Sequence, residues 1–519
     1  MRVALMGLAL ASVLGSSALA GPTVAVTGGR IEGKMSSDGG ASFKGIPFAA
    51  PPVGDLRWRE PARVKAWPGL LQANRYGPSC MQKAQTWNAE ETARMSEDCL
   101  YLNVWTPSTD FKGKRPVMVW IFGGSNTGGS ASKALYDGAD LARKGVIVVT
   151  INYRVGLFGF FAHPALTAES PHHASGDYGL LDQVAALKWV RDNIAHFGGD
   201  PGNVTIFGQS AGGGDVAFLL VSPLARGLFQ KAIQESSGGG VRDLPSLAEV
   251  ERWGLDVAAQ AHAPEGTPGL AFLRKLPAEQ LQRISSGERG GPAAIDGWFL
   301  AKGPREAFAE GLAANVPLMI GNNAQEQKGA TPATVREAVT EAFGADAGAA
   351  LAYYGFDRPG DGRADPLFGT AILQVEADTS QRCPSILQAT WEVQHGRPVF
   401  EYQFDLPIPG EAAPHHSSEL PYVFGNLPPS GASGPDAQTT HRVSDAVQTY
   451  WTNFARTGVP SGEGLTVWPR FDPAQRGYLE FTALGPVAGK GLRRTICDLY
   501  IDGLVHARSG AAGHDQASR

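Results

Sequence analysis

The sequence predicts an α/β protein with a mostly parallel central sheet, helices on both of its faces and helical insertions. Dense apolar runs rich in β-branched residues supply the strands. They are Val117 to Phe122, Val146 to Tyr153, Val204 to Phe207, Val316 to Ile320 and Val399 to Phe404. Runs this short and this apolar suit strands buried on both faces, the usual condition of a parallel sheet. Between them stand helical spacings. Leu180, Val184, Leu187, Val190 and Ile194 recur every three or four residues and make one apolar face. Val443, Ala446, Val447, Tyr450, Trp451, Phe454 and Ala455 follow the same rule, with Gly458 and Pro460 as the stop.

Composition bounds the function. The chain has 519 residues, 43% of them hydrophobic and 18% charged, with a formal net charge of -5. That leaves no basic field for a phosphate backbone, so nucleic acid is not an expected partner. Residues 1–20 read as a secretory signal peptide, with Arg2, an apolar stretch from Val3 to Leu14, and Ala18-Leu19-Ala20 at the cleavage positions. The apolar stretch is shorter than the ~20 residues a membrane span needs. We therefore expect a secreted or periplasmic protein without a stable membrane anchor, its single domain over residues 21–505 and a disordered tail over 506–519. A monomer or weak homodimer is expected.

An exported protein permits disulfides. Cys80, Cys99, Cys383 and Cys497 allow three pairings. The short local loop favours Cys80 with Cys99, which leaves Cys383 with Cys497; the alternative is four free buried thiols. Their spacing fits no metal site, and the role is structural either way.

The chemistry begins at Gly208-Gln209-Ser210-Ala211-Gly212, which follows one strand run and precedes a helix-like run from Val216 to Leu220. This is a G-x-S-x-G nucleophile elbow in its required strand-turn-helix context. The turn is too tight for large neighbours, and it pushes the Ser210 hydroxyl out above the sheet. A serine hydroxyl needs a base, and that base needs an acid to orient it. In the α/β-hydrolase fold they follow in the order Ser, Asp or Glu, His. His262, His395, His415, His416, His441, His506 and His514 all come after the elbow, so position does not choose among them.

Longer blocks do. Gly45-Ile46-Pro47-Phe48-Ala49-Ala50-Pro51-Pro52-Val53-Gly54 with Leu56-Arg57-Trp58, and then Glu97-Asp98-Cys99-Leu100-Tyr101-Leu102-Asn103-Val104, resemble the signatures of the type-B carboxylesterase family. That family includes the cholinesterases and bacterial p-nitrobenzyl esterases. Asn152-Tyr153-Arg154, Tyr178-Gly179-Leu180-Leu181-Asp182-Gln183 and Phe197-Gly198-Gly199-Asp200-Pro201 match in family order. The resemblance spans about Val24 to Cys497. It implies an α/β-hydrolase fold, the pairings Cys80–Cys99 and Cys383–Cys497, and ion pairs of Arg57 with Glu97 and Arg154 with Asp182.

The same resemblance selects the acid and the base. The family's acid follows a strand and a Gly-x-Asn turn; here Gly321-Asn322-Asn323 leads to Glu326, with Gln327 where glycine is usual. The family's histidine lies in a block read here as His416-Ser417-Ser418-Glu419-Leu420-Pro421-Tyr422-Val423-Phe424-Gly425. His416, not His415, has the right distance to Glu419. The implied triad is Ser210, Glu326 and His416. The implied oxyanion donors are the amides of Gly124, Ser125 and Ala211.

Two departures bear on specificity. Ser125 replaces the third glycine of the oxyanion loop and Asn126 replaces the usual aromatic; this is either a tolerated loop variant or, with a side chain entering the acyl-binding region, a more polar pocket that accepts acids with oxygen substituents. Gln209 stands where Glu is common; a neutral amide removes a charge that would favour cationic substrates. Trp87 lies in the Cys80 to Cys99 loop, where cholinesterases hold a cation-binding tryptophan, but its neighbours do not match and a partly buried structural role is expected. Together these imply a serine carboxylic-ester hydrolase for small, neutral esters, with no metal and no organic cofactor. An amidase, carbamate hydrolase or lactonase would use the same triad. A non-catalytic adhesion member of the family would have lost Ser210, Glu326 or His416, and all three are present.

Overall fold

A computed structural model describes residues 21–284, 292–326 and 332–504. The expected leader at residues 1–20, the tail at 506–519, Gln327 and nearly all of the Ser285 to Pro292 loop lie outside the described residues.

The strand-like runs assemble into one sheet. In chain order its strands are β1 (Lys34–Met35), β2 (Ala41–Pro47), β3 (Tyr101–Thr106), β4 (Arg115–Ile121), β5 (Ile147–Ile151), β6 (Gly199–Gln209), β7 (Lys231–Glu235), β8 (Leu318–Asn323), β9 (Val399–Phe404), β10 (Gly477–Thr482) and β11 (Gly485–Lys490). Their spatial order is β11-β10-β9-β8-β7-β6-β4-β5-β3-β2-β1. From β5 to β10 every neighbouring pair is parallel, and the antiparallel pairs sit at the two ends. Every residue of β5, β7, β8 and β9 is buried, including the polar Gln234, Glu235, Asn323, Glu401 and Gln403, because both faces of a parallel sheet are covered. A separate three-stranded sheet of Thr23–Val26, Gly29–Glu32 and Leu70–Gln72 flanks it.

Helices pack around the sheet: α1 (Tyr178–Asn193), α2 (Ala211–Val221), α3 (Leu247–Gln260), α4 (Cys383–Gln394), α5 (Leu420–Phe424) and α6 (Ala437–Thr457). α2 lies on β6 and β7, and α6 on β4 and β6. The buried stripe of α6 contains Val443, Val447, Tyr450, Trp451, Phe454 and Ala455, each large side chain contributing roughly 1.5–3 kcal/mol by leaving water. Asp436 caps this helix by accepting from the Thr439 N–H at 2.7 Å, and Gly458 ends it at φ 77°.

Two disulfides are formed, Cys80–Cys99 and Cys383–Cys497. Arg57 and Glu97 form a two-bond ion pair with both contacts at 2.6 Å, and Arg154 binds Asp182 at 2.7 and 2.8 Å. Breaking either pair would strand a charge away from water.

The parallel arrangement fixes where chemistry can happen. Gly123 and Gly124 follow the C-terminal end of β4, Ser210 that of β6, Ser236 that of β7, and Glu326 that of β8. His416 lies on the loop that leaves β9. These are the carboxyl ends of adjacent parallel strands, the edge at which open α/β sheets hold their ligands.

Candidate active site

Ser210 joins β6 to α2 with φ 57° and ψ −126°, a backbone region that non-glycine residues rarely occupy. The surroundings hold it there. Its N–H donates to the carbonyl of Glu235 at 2.9 Å, and its own carbonyl accepts from the Gly214 N–H at 3.0 Å. A Cβ at Gly212 would stand 2.1 Å from the Ile121 carbonyl oxygen, so glycine is the residue that lets the elbow press against β4. Gly123 is constrained likewise, since its Cβ would lie 2.4 Å from the Gln209 carbonyl oxygen.

Glu326 is buried, and its oxygens are fully used. Oε1 accepts from Ser236 Oγ and from the Asn323 N–H, both at 2.8 Å, while Oε2 is 2.6 Å from His416 Nδ1. The His416 N–H in turn donates to the Glu326 carbonyl at 2.7 Å. With Nδ1–H given to the carboxylate, the Nε2 lone pair faces the cleft, 3.2 Å from the amide nitrogen of Gln209. Burial works to lower the imidazole pKa. The hydrogen bond and charge of Glu326, with a contribution from Glu419, outweigh it and hold His416 above its ordinary 6.5. His415 is engaged elsewhere, with Nε2 2.6 Å from Glu411.

A further layer supports this pair. Asn323 Nδ2 donates to Glu419 Oε2 at 2.6 Å, and Trp451 Nε1 to Glu235 Oε1 at 2.7 Å. Burial pushes Glu419 up to about 7, with the negative charge of Glu326 adding to the effect. Ser236 and Glu235 carry no signal in the sequence, because their importance depends on β7 lying between β6 and β8, whereas Asn323 stands in the Gly-x-Asn segment before Glu326. Glu419 is visible too, inside the histidine block.

The segment after β4 turns through three positive-φ residues, Gly124 (119°), Ser125 (56°) and Asn126 (55°). Among the described residues, the amides of Gly124, Ser125 and Ala211 donate to no protein acceptor, so all three remain available to a ligand oxygen. The Asn126 side chain turns aside from that position. Its Nδ2 donates to the buried Asp215 at 2.8 Å and its Oδ1 accepts from Tyr153 at 3.1 Å.

Ser210, His416, Gly124, Ser125, Asn126, Gln209 and Ala211 line one cleft of about 1250 Å³. Trp87 lines it too, which corrects the expectation of a structural role. It is 42% exposed, and its ring leans on Gly124 and Gly128, where there is no side chain to displace it. Leu244, Pro245, Val250 and Trp253 supply an apolar wall. Among the described residues, no cluster of His, Cys, Asp and Glu could hold a metal ion, and no helix is long and apolar enough to cross a membrane.

Comparison with known proteins decides the lineage. The model of the carboxylesterase family matches residues 20–499. The chain belongs to the carboxylesterase family. As a family member it is similar to fumonisin B1 esterase of Sphingopyxis macrogoltabida, at 39% identity over 87% of this chain and 84% of that protein. It is 38% identical to para-nitrobenzyl esterase of Bacillus subtilis over 86% of this chain and 92% of that one. A solved structure of PNB esterase superposes with a TM-score of 0.79 at 32% identity, covering 92% of this chain and 99% of that one. This family member is a carboxylic-ester hydrolase with the α/β-hydrolase fold.

Proposed function

We propose that this hydrolase works through an acyl-enzyme on Ser210, with His416 as general base and acid and Glu326 as its orienting carboxylate. The observation that carries the reading is the placement of His416, tied to Glu326 through Nδ1 at 2.6 Å while Nε2 opens on the cleft that contains Ser210. On attack, the Ser210 hydroxyl proton passes to Nε2 as Oγ bonds to the ester carbonyl carbon. The charge that develops on the carbonyl oxygen is met by the free amides of Gly124, Ser125 and Ala211. Collapse of the adduct breaks the bond to the alcohol oxygen, which takes the proton back from His416. Water, deprotonated by His416, then attacks the acyl-enzyme and releases the acid.

Gln209 contributes an amide and no charge beside the nucleophile, which supports turnover of neutral esters over choline esters. Two disulfides and a leader-like N-terminal sequence support export to the periplasm or beyond. Fumonisin B1, the ester named for one relative, belongs in the first substrate set with p-nitrophenyl esters.

The test is hydrolysis of p-nitrophenyl esters of graded acyl length by the mature protein beside Ser210→Ala. The expected result is turnover reduced by a factor on the order of 10³ or more in the variant. Undiminished turnover in the variant would refute Ser210 as the nucleophile.

A further inference from the structure

The cleft holds a positive charge that ester hydrolysis itself does not require. Of its cationic side chains, Lys133 is matched by Glu91 at 3.2 Å. Arg242 has no such partner. It lines the same cleft, its side chain is exposed there, and among the described residues no carboxylate lies within ion-pair distance. One of its N–H groups is used, from Nη2 to the carbonyl of Ser237 at 2.9 Å. A guanidinium has five donors, so most remain free.

The neighbouring carboxylates are committed elsewhere. Asp215 also lines the cleft but is buried, with Oδ1 bound by Asn126 Nδ2 at 2.8 Å and Oδ2 by Gln183 Nε2 at 2.6 Å, so it acts on Arg242 only through its charge and leaves the guanidinium donors free. Glu249, also at the cleft, is held by the Ser246 N–H and hydroxyl at 2.8 and 2.7 Å. The guanidinium is exposed in the cleft, feels the charge of Asp215 without pairing with it, and keeps most of its donors free for an incoming anion.

Its position relates it to the reacting centre. Nη2 of Arg242 lies 3.6 Å from where a Gly214 Cβ would be, and Gly214 donates its N–H to the Ser210 carbonyl. The guanidinium thus sits over the first turn of α2, about 6 Å along the helix axis from the nucleophile. The ring of Phe218 lies 6.0 Å from it, and Leu244 and Pro245 continue the wall. Apolar surface leading to a forked donor suits a short hydrocarbon chain that ends in a carboxylate.

We propose that Arg242 is a specificity-determining residue that receives a free carboxylate on the substrate, extending the range beyond neutral esters to esters of di- or polycarboxylic acids. The proposal rests on Ser210 being the nucleophile. It is independent of Ser125 and Asn126, whose side chains carry no charge.

Two matched pairs of probes isolate the charge. Monomethyl glutarate against methyl glutaramate differs only by carboxylate for amide in the acyl half. O-acetylglycolate against O-acetylglycolamide makes the same exchange in the alcohol half. We expect wild-type kcat/KM for the carboxylate member of one pair to exceed that of its amide by about tenfold or more, as a charge-assisted hydrogen bond provides. The pair that shows the preference identifies the half that reaches Arg242. Arg242→Gln should remove the preference and change amide turnover by no more than about threefold, while Arg242→Lys should keep part of it. Raising ionic strength should shrink the wild-type preference.

Equal wild-type turnover within both pairs would overturn the proposal. So would a proportional loss on both members in Arg242→Gln, which would mark a structural residue. Hydrolysis of p-nitrophenyl butyrate by wild type and Ser210→Ala is run alongside. Loss of that Ser210 dependence would fail the nucleophile, whereas Ser210-dependent turnover without charge preference would fail Arg242 alone.

Discussion

Gln209 Nε2 lies 3.2 Å from His416 Nε2, so the amide next to Ser210 occupies the lone pair that the proposed mechanism gives to the serine proton. Among the described residues, no hydrogen bond joins the Ser210 hydroxyl to His416. Free enzymes often hold such contacts slack until substrate arrives. In the proposed mechanism Gln209 releases the imidazole as the ester seats.

The pH dependence follows from this. In the proposed mechanism His416 acts as a base when neutral, and Glu326 and Glu419 hold its pKa above 6.5. kcat/KM should therefore fall as pH drops through a value above 6.5. Gln209→Glu adds a negative charge beside Nε2 and should move that acid limb to higher pH; Glu419→Gln removes one and should move it lower. A pH profile that is the same in all three proteins would show that His416 does not set the limb.

Glu326→Gln should keep the fold and lower kcat by a factor on the order of 10³–10⁴, since a neutral amide cannot stabilise the imidazolium or fix its tautomer. Ser236→Ala removes one of the two donors to Oε1 and should cost far less, roughly tenfold. Steady-state kinetics with one p-nitrophenyl ester rank the two. Equal losses would mean that the carboxylate charge is not the important property.

Ser125 and Asn126 sit at φ 56° and 55°, where glycine is the easier residue. Ser125→Gly should fold normally and shift the acyl-chain profile toward simple alkyl esters, because it clears a hydroxymethyl group from the oxyanion loop. An unchanged acyl profile would show that the serine side chain does not meet the acyl group.

The Cys383–Cys497 bridge spans 114 residues and the Cys80–Cys99 bridge 19. Chain-entropy arguments give losses of roughly 4–5 and 3 kcal/mol for their removal. Replacing Cys80 and Cys99 with Ala should also raise KM, since the loop they close carries Trp87 into the cleft. Denaturant titrations and kinetics on the two double variants check both statements. A KM unmoved by loss of the shorter bridge would separate Trp87 from substrate binding.

Glu401 on β9 is buried, and burial pushes its carboxyl up to about 8 against the weaker pull of Arg476 and Arg382. A pKa raised on folding supplies stability that is complete below the unfolded value of about 4.5 and is lost as pH rises through about 8. Glu401→Gln should then leave Tm nearly unchanged at pH 5 and raise it relative to wild type at pH 9. A lower Tm for the variant at pH 9 would show that the charged carboxylate and the arginines attract more than burial costs.

What was legible in the sequence was local or carried in ordered blocks. The elbow is a strand, a tight turn and a helix within adjacent residues, and the apolar stripe of α6 needs no partner to be seen. Where structure departs from the reading, distant pairing is the reason. Gly321-Asn322-Asn323 looks like a turn, yet these residues extend β8, because Gly321 pairs with Tyr402 and Asn323 with Phe404. β6 begins at Gly199, well before its apolar run, because Gly199 pairs with Arg115 across an irregularity in the strand. The flanking three-stranded sheet escaped notice because half of Thr23–Val26 is exposed and its pattern is weak. Arg242 and Lys133 reach the cleft from segments far apart in the chain, and no spacing rule connects them to Ser210.

The most direct test of the central claim is intact-protein mass measurement after exposure to an organophosphonate, followed by peptide mapping. We expect one adduct per chain, on Ser210, absent from Ser210→Ala and formed more slowly in Glu326→Gln. A stoichiometric adduct on another residue, or esterase turnover that survives complete labelling of Ser210, would contradict it.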